Sequence, residues 1–141
     1  MHCFNVYSIV KKYKHDSKNM DDICAMCILH DCLEDTDTTR DQLCDLFGCM
    51  VADTVFELTN DQEEIERIGK QAYLDKKLLA LSNYALAIKL ADMLANITDA
   101  PTEDLLKRIS HHISFLKSNR ELTGSQGKIV NHIEQVLHAA V

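Results

Sequence analysis

One proline and four glycines are all that punctuate this chain of 141 residues. These two residue types supply most of the special backbone angles that tight reversals need, so their scarcity leaves few places to turn the chain sharply. The remainder is dominated by Leu, Ala, Lys, Asp, Glu and Ile, a composition that favours helices joined by short turns. The chain is therefore expected to be all-α, and a β-sandwich or barrel is disfavoured. With 46% hydrophobic and 26% charged residues it has the balance of a single globular domain over residues 1–141.

Charge narrows the partners. The formal net charge is −7, and the 15 Lys and Arg are scattered rather than gathered into a stripe, so no footprint for a nucleic-acid backbone is present. An anionic substrate would need a local device to hold it, and a metal ion would serve. No apolar run approaches the roughly 18–20 residues of a membrane span. Cys3, Cys24, Cys27, Cys32, Cys44 and Cys49 all lie in helical patterns with no signal peptide ahead of them, which implies reduced thiols and a soluble, cytoplasmic protein. Cys24 and Cys27 have the spacing of half a zinc site, but a second paired half is missing.

Apolar periodicity places the helices. In residues 2–14, Val6, Ile9, Val10 and Tyr13 recur at helical spacing and His2 shares their face. A second helix is expected over residues 21–34, with Ile23, Met26, Cys27, His30 and Leu33 on its buried stripe. Thr38 reads as the cap of a short helix stopped by Gly48. The acidic run 61–66 reads as a solvated face or loop. Helical spacing resumes over 68–81 and 84–97, Pro101 opens a further helix, and a last one covers 126–138. His111, His112, His132 and His138 fall in these last helices without an evident role.

Two places carry chemistry. His30 and Asp31 are adjacent, with Glu34 and Asp35 about one turn on, so an imidazole and several carboxylates share a neighbourhood. Burying such groups unpaired costs several kcal/mol per charge, a cost that a divalent cation removes. Mixed nitrogen and oxygen donors suit manganese, iron, zinc or magnesium, with manganese the first choice. A hydrogen-bonded core histidine beside an exposed acidic helix end is the plainer alternative. The second place is the aliphatic stretch 84–97, where Lys89, Asp92 and Asn96 lie on one helical face.

The run Leu29-His30-Asp31-Cys32-Leu33-Glu34-Asp35-Thr36-Asp37-Thr38-Thr39 resembles the HD and ED boxes of the RelA/SpoT-type alarmone hydrolase domain. His2 with Val6 is similar to the opening histidine helix of that family, and Lys89-Leu90-Ala91-Asp92 with Asn96 looks like its closing box. The resemblance spans roughly residues 2–100 and fades over the helical part 101–141. It implies an HD-type bundle with His2, His30, Asp31 and Asp92 as metal ligands. Glu34 and Asp35 would position or activate the attacking water. It further implies manganese and removal of the 3′-pyrophosphate from guanosine tetra- or pentaphosphate, a small nucleotide substrate. Lys89 and Asn96 are then candidates for sugar or phosphate contacts, and Lys70, Lys77 and Arg120 for phosphate.

Two departures bear on the substrate. The family's base-cradling Arg-Lys helix precedes its first ligand histidine, whereas here His2 follows Met1 directly. The closing box reads Asp92-Met93-Leu94-Ala95-Asn96, where Arg usually follows the Asp. Two other readings therefore stand beside the first: an HD phosphohydrolase acting on other nucleotides, and a catalytically silent HD-like binding or regulatory module.

Overall fold

A computed structural model describes residues 2–14 and 18–140, and among them every regular element is an α-helix. In chain order these are α1 (His2–Lys14), α2 (Met20–Leu29), α3 (Cys32–Asp35), α4 (Arg40–Phe47), α5 (Cys49–Leu58), α6 (Gln62–Ile68), α7 (Lys70–Ala80), α8 (Asn83–Asp99), α9 (Glu103–Asn119) and α10 (Gly124–Ala139). The all-α expectation holds.

The helix α8 organises the rest. Ala85, Leu86, Ala87, Ile88, Leu90, Ala91, Met93, Leu94, Ala95 and Ile97 are all buried, so this helix is apolar around most of its girth. Such a helix is stable in water only when other helices surround it. Here α1, α2, α5, α9 and α10 pack against it. Val6 and Val10 of α1, Met26 of α2, and Ile129 and Ile133 of α10 join its side chains in one apolar cluster.

Two glycines cut what would otherwise be longer helices. Gly48 (φ 92°, ψ 156°) separates α4 from α5, and Gly69 (φ 88°, ψ 155°) separates α6 from α7. This backbone region is open essentially to glycine alone. Each glycine ends one helix by donating its N–H to a carbonyl, of Cys44 and of Ile65 respectively. Cys44 and Cys49 are joined by a disulfide across the first cut, which corrects the reading of all six cysteines as reduced thiols. Cys24 and Cys27 stand outside any disulfide, and burial pushes the Cys27 thiol up to about 12.

Two local expectations are also corrected. The helix over 21–34 is broken at His30–Asp31 into α2 and α3. The cap of α4 is Thr39 rather than Thr38, because Thr39 and Gln42 satisfy each other's backbone N–H in a capping box. The acidic run, expected as a solvated face or loop, is a solvated face: it opens α6, a helix with no buried residue, which Asp61 caps by accepting from the Glu64 N–H, with Glu63 and Glu64 at its positive end. No helix among the described residues is long and apolar enough to cross a membrane.

Nothing stands within 4 Å of where a Cβ at Gly69 would sit, so only the backbone conformation opposes a side chain there. Gly69→Ala is expected to lower stability by about 1–3 kcal/mol without any packing clash. Chemical denaturation would show it as a shifted midpoint at unchanged slope.

Candidate metal centre

His2 opens α1, His30 follows the last residue of α2, and Asp92 lies midway along α8. The fold brings all three to one point. His2 Nε2 lies 2.5 Å from Asp92 Oδ1, across a sequence separation of 90 residues. His30 Nε2 lies 3.3 Å from Asp31 Oδ2 and 3.6 Å from Asp92 Oδ1. The donor atoms of His2, His30 and Asp31 all fall within 4.8 Å of one another.

His30 shows what this arrangement suits. Its Nδ1–H donates to the Cys27 carbonyl at 2.6 Å, which leaves Nε2 with a lone pair facing the cluster. That Nε2 is buried and has no hydrogen-bond partner. A buried polar atom without a partner is costly, and here it is aimed at two carboxylates and a second imidazole. A ligating histidine fixed through its other nitrogen by a carbonyl is the usual way proteins orient metal ligands. The residues therefore fit a divalent ion.

The electrostatics agree. Burial opposes ionisation of Asp92, but hydrogen bonding from His2 and the nearby His30 and Lys89 outweigh it and hold this carboxyl far below the usual range. The Asp92 hydrogen bond raises the pKa of His2 against the opposing effect of burial. Burial likewise works against protonation of His30, yet Asp92, the Cys27 carbonyl and Asp31 together raise its pKa. The site is a concentration of negative potential around two imidazoles. Lys89 Nζ, 3.3 Å from Asp92 Oδ2, offsets part of it from the same helix.

The other expected residues divide into near and far. Glu34 is exposed, and its Oε1 accepts the Asn60 N–H at 2.5 Å, tying α3 to the end of α5. The side chain of Asp35 lies outside the described residues. Lys70 and Lys89 line one cleft of about 340 Å³, together with Asn60, Tyr73, Arg108 and His112. Asn96 is exposed on α8, one turn beyond Asp92.

Lys77 and Arg120 serve the fold instead. Lys77 Nζ donates at 3.0 Å to the Leu58 and Thr59 carbonyls and to Asn60 Oδ1, so all three of its donors are engaged at the C-terminal end of α5. Burial lowers its pKa to about 8. Arg120 donates to the Leu78 carbonyl at 2.8 Å and to Asn83 Oδ1 at 3.3 Å, clasping the end of α7 and the start of α8. The Asn83 it holds lies roughly 13 Å of helix rise from Asp92. Both cations are thus held by acceptors of the fold, and Lys77 also lines a cleft with Asn60 and Tyr73. Sequence reasoning missed Arg108 in the cleft, and it missed the grouping of Asp75 with His111 and His112, because each is assembled from helices far apart in the chain.

No protein-family model matches the chain. Over 92 residues, 64% of this chain and 51% of the relative, it is 30% identical to the guanosine-3′,5′-bis(diphosphate) 3′-pyrophosphohydrolase MESH1 of Danio rerio. The chain thus spans about half the length of that curated relative. In structure it matches a metazoan ortholog of SpoT that hydrolyzes ppGpp, with a TM-score of 0.76 at 22% identity, covering 99% of this chain and 79% of that one. It shares its fold with that protein. The same fold appears in lmo0812 from Listeria monocytogenes EGD-e, at a TM-score of 0.69 and 20% identity over 97% of this chain and 96% of the other. In sequence and in fold the chain is similar to the SpoT-type alarmone hydrolases, as the boxes around His30 and Asp92 imply.

Removing the Lys77 ammonium leaves two carbonyls and an amide oxygen without their donor. Lys77→Ala is expected to cost about 1–3 kcal/mol of stability, while Lys70→Ala, at an exposed position, changes it by no more than about 0.5 kcal/mol. Equilibrium denaturation of the two variants side by side tests the assignment, and equal effects would refute it.

Proposed function

We propose that this chain is a metal-dependent phosphohydrolase that removes the 3′-pyrophosphate from guanosine tetra- or pentaphosphate. The observation that carries the proposal is the buried, partnerless Nε2 of His30, held toward Asp31, Asp92 and His2. The activity of the zebrafish relative and of the SpoT ortholog supplies the substrate class. The continuous apolar core around α8 supports reading residues 1–141 as one HD-type domain.

In this reading His2, His30, Asp31 and Asp92 hold the ion, and manganese is proposed because the donors mix imidazole nitrogen with carboxylate oxygen. A divalent ion there lowers the pKa of a water and polarises a phosphoryl oxygen. Glu34, anchored through the Asn60 N–H, is the proposed base that takes the proton from the attacking water, with Asp35 assisting. Lys89 and Lys70, which line the cleft, are the proposed contacts to phosphate oxygens, joined by Arg108, whose planar fork suits such an anion. Asn96 is assigned to the sugar or phosphate beyond Asp92. Water displaces the leaving pyrophosphate directly, so no covalent enzyme intermediate is required. The proposed setting is the cytoplasm.

The test is hydrolysis of a nucleotide panel that includes guanosine tetraphosphate, by metal-stripped protein with and without manganese. Manganese-dependent release of pyrophosphate from guanosine tetraphosphate is the expected result. Turnover of a different nucleotide would keep the hydrolytic centre and replace the substrate, and silence with every divalent metal would remove the enzymatic reading.

Two variants separate the roles. Asp92→Ala is expected to lose both bound metal and activity. Glu34→Gln should keep its metal and lose turnover by about 10²–10⁴-fold, the usual contribution of a positioned base. Metal analysis beside initial rates distinguishes them, and full activity in Glu34→Gln would exclude that residue as the base.

A further inference from the structure

We propose that Asp75, His111 and His112 form a second divalent-metal site, of the zinc class, where α7 packs against α9. The site shares no residue with the cluster around His30 and does not rest on the proposed hydrolase activity. Asp75 presents one carboxylate oxygen to each histidine, with Oδ2 2.7 Å from His111 Nε2 and Oδ1 2.7 Å from His112 Nδ1. The donor atoms of all three residues lie within 4.8 Å of one another. A four-coordinate ion about 2 Å from each ligand needs only small side-chain rotations to be seated among them.

The way the two histidines meet the carboxylate is specific. Neighbouring residues on a helix point about 100° apart, so identical side chains at consecutive positions do not ordinarily converge. Here His111, 41% exposed, reaches in with its distal Nε2, while His112, 4% exposed, uses its proximal Nδ1. The difference in reach compensates for the difference in direction. Asp75 and Gln71 stand four apart on α7 and share a face, which brings the Gln71 amide to 3.1 Å from the same His111 Nε2.

An ion would draw on the same atoms, taking lone pairs from His111 Nε2, from Asp75 and, with the amide turned over, from the Gln71 oxygen. Arg108 carries its own partner in Asp104 at 3.2 Å. The exposure of His111 leaves a coordination position open to solvent. His112 also lines the cleft that contains Lys70 and Lys89, so an ion here adds positive charge to a wall of that cleft.

Zinc titration of the chelator-stripped protein by calorimetry tests the proposal, with circular dichroism to check that each variant keeps its helices. His111→Gln and Asp75→Asn are each expected to lower the zinc stoichiometry by one equivalent, or to weaken that equivalent by at least about 100-fold. His2→Gln should remove a different equivalent. A wild-type stoichiometry that His111→Gln leaves unchanged in number and affinity would overturn the proposal, as would the absence of any saturable zinc binding. One equivalent that responds to His111→Gln but not to His2→Gln would establish this site while refuting the first.

Discussion

A carboxylate midway along the most buried helix of the fold must be answered by other helices. Asp92 sits among Leu90, Ala91, Met93 and Leu94, all buried, and only 13% of its side chain is exposed. An ion left there without partners costs several kcal/mol, a large part of the stability of a domain this size. The answer comes from His2 at the first turn of α1, from His30 at the end of α2 and from Lys89 one turn back on α8. The electrostatic need of one side chain therefore fixes the mutual placement of three helices, two of them supplying the imidazoles from their ends. Helix ends suit this purpose, because a side chain there can approach a neighbouring helix without the crowding of a following turn.

The break between α2 and α3 serves both structure and site. A helix that stops leaves its last carbonyls without donors. His30 supplies one by bonding its Nδ1–H to the Cys27 carbonyl, and the same bond turns Nε2 toward Asp31 and Asp92. Continuation of the helix through Glu34 would have given Cys27 a backbone donor and left the His30 tautomer undetermined. The short α3 then re-aims Glu34 toward the turn after α5, where the Asn60 N–H receives it. Asn60 in turn accepts from Lys77, so the acidic segment is joined to α7 through a single asparagine.

Periodicity made α1 and α8 legible, because a core-facing stripe leaves a repeating trace whichever partner it packs on. It also set His2 on the face of Val6, and Lys89 and Asp92 on one face of α8. The break at His30 left no such trace, since Leu33 continues the apolar spacing past it. The acidic run 61–66 hid the start of α6, because five polar residues around Ile65 obscure a cap whose evidence is one side-chain bond, from the Glu64 N–H to Asp61. The bonds of Lys77 to the end of α5 were not legible either, since nothing local distinguishes a lysine that binds carbonyls 18 and 19 residues away from one in water. The same distance hid the triad of Asp75, His111 and His112, whose members lie up to 37 residues apart. Sequence patterns report faces well and pairings between faces poorly.

The net charge of −7 would by itself repel a nucleotide polyphosphate. What matters to such a ligand is the local field, and the fold gathers Lys70, Lys89 and Arg108 from three helices around one cleft. Within a Debye length of roughly 8–10 Å these cations outweigh acids on the far surface, while Asp92 and Asp104 offset two of them at close range. Lys89 also belongs to the cluster around His30, since Asp92 turns Oδ2 toward it and Oδ1 toward the two histidines. One carboxylate thus faces the imidazoles with one oxygen and holds a cation at the cleft with the other. Exchanging Asp92 for any residue with a single acceptor would uncouple the two, which is why this position combines its structural and its proposed chemical roles so tightly.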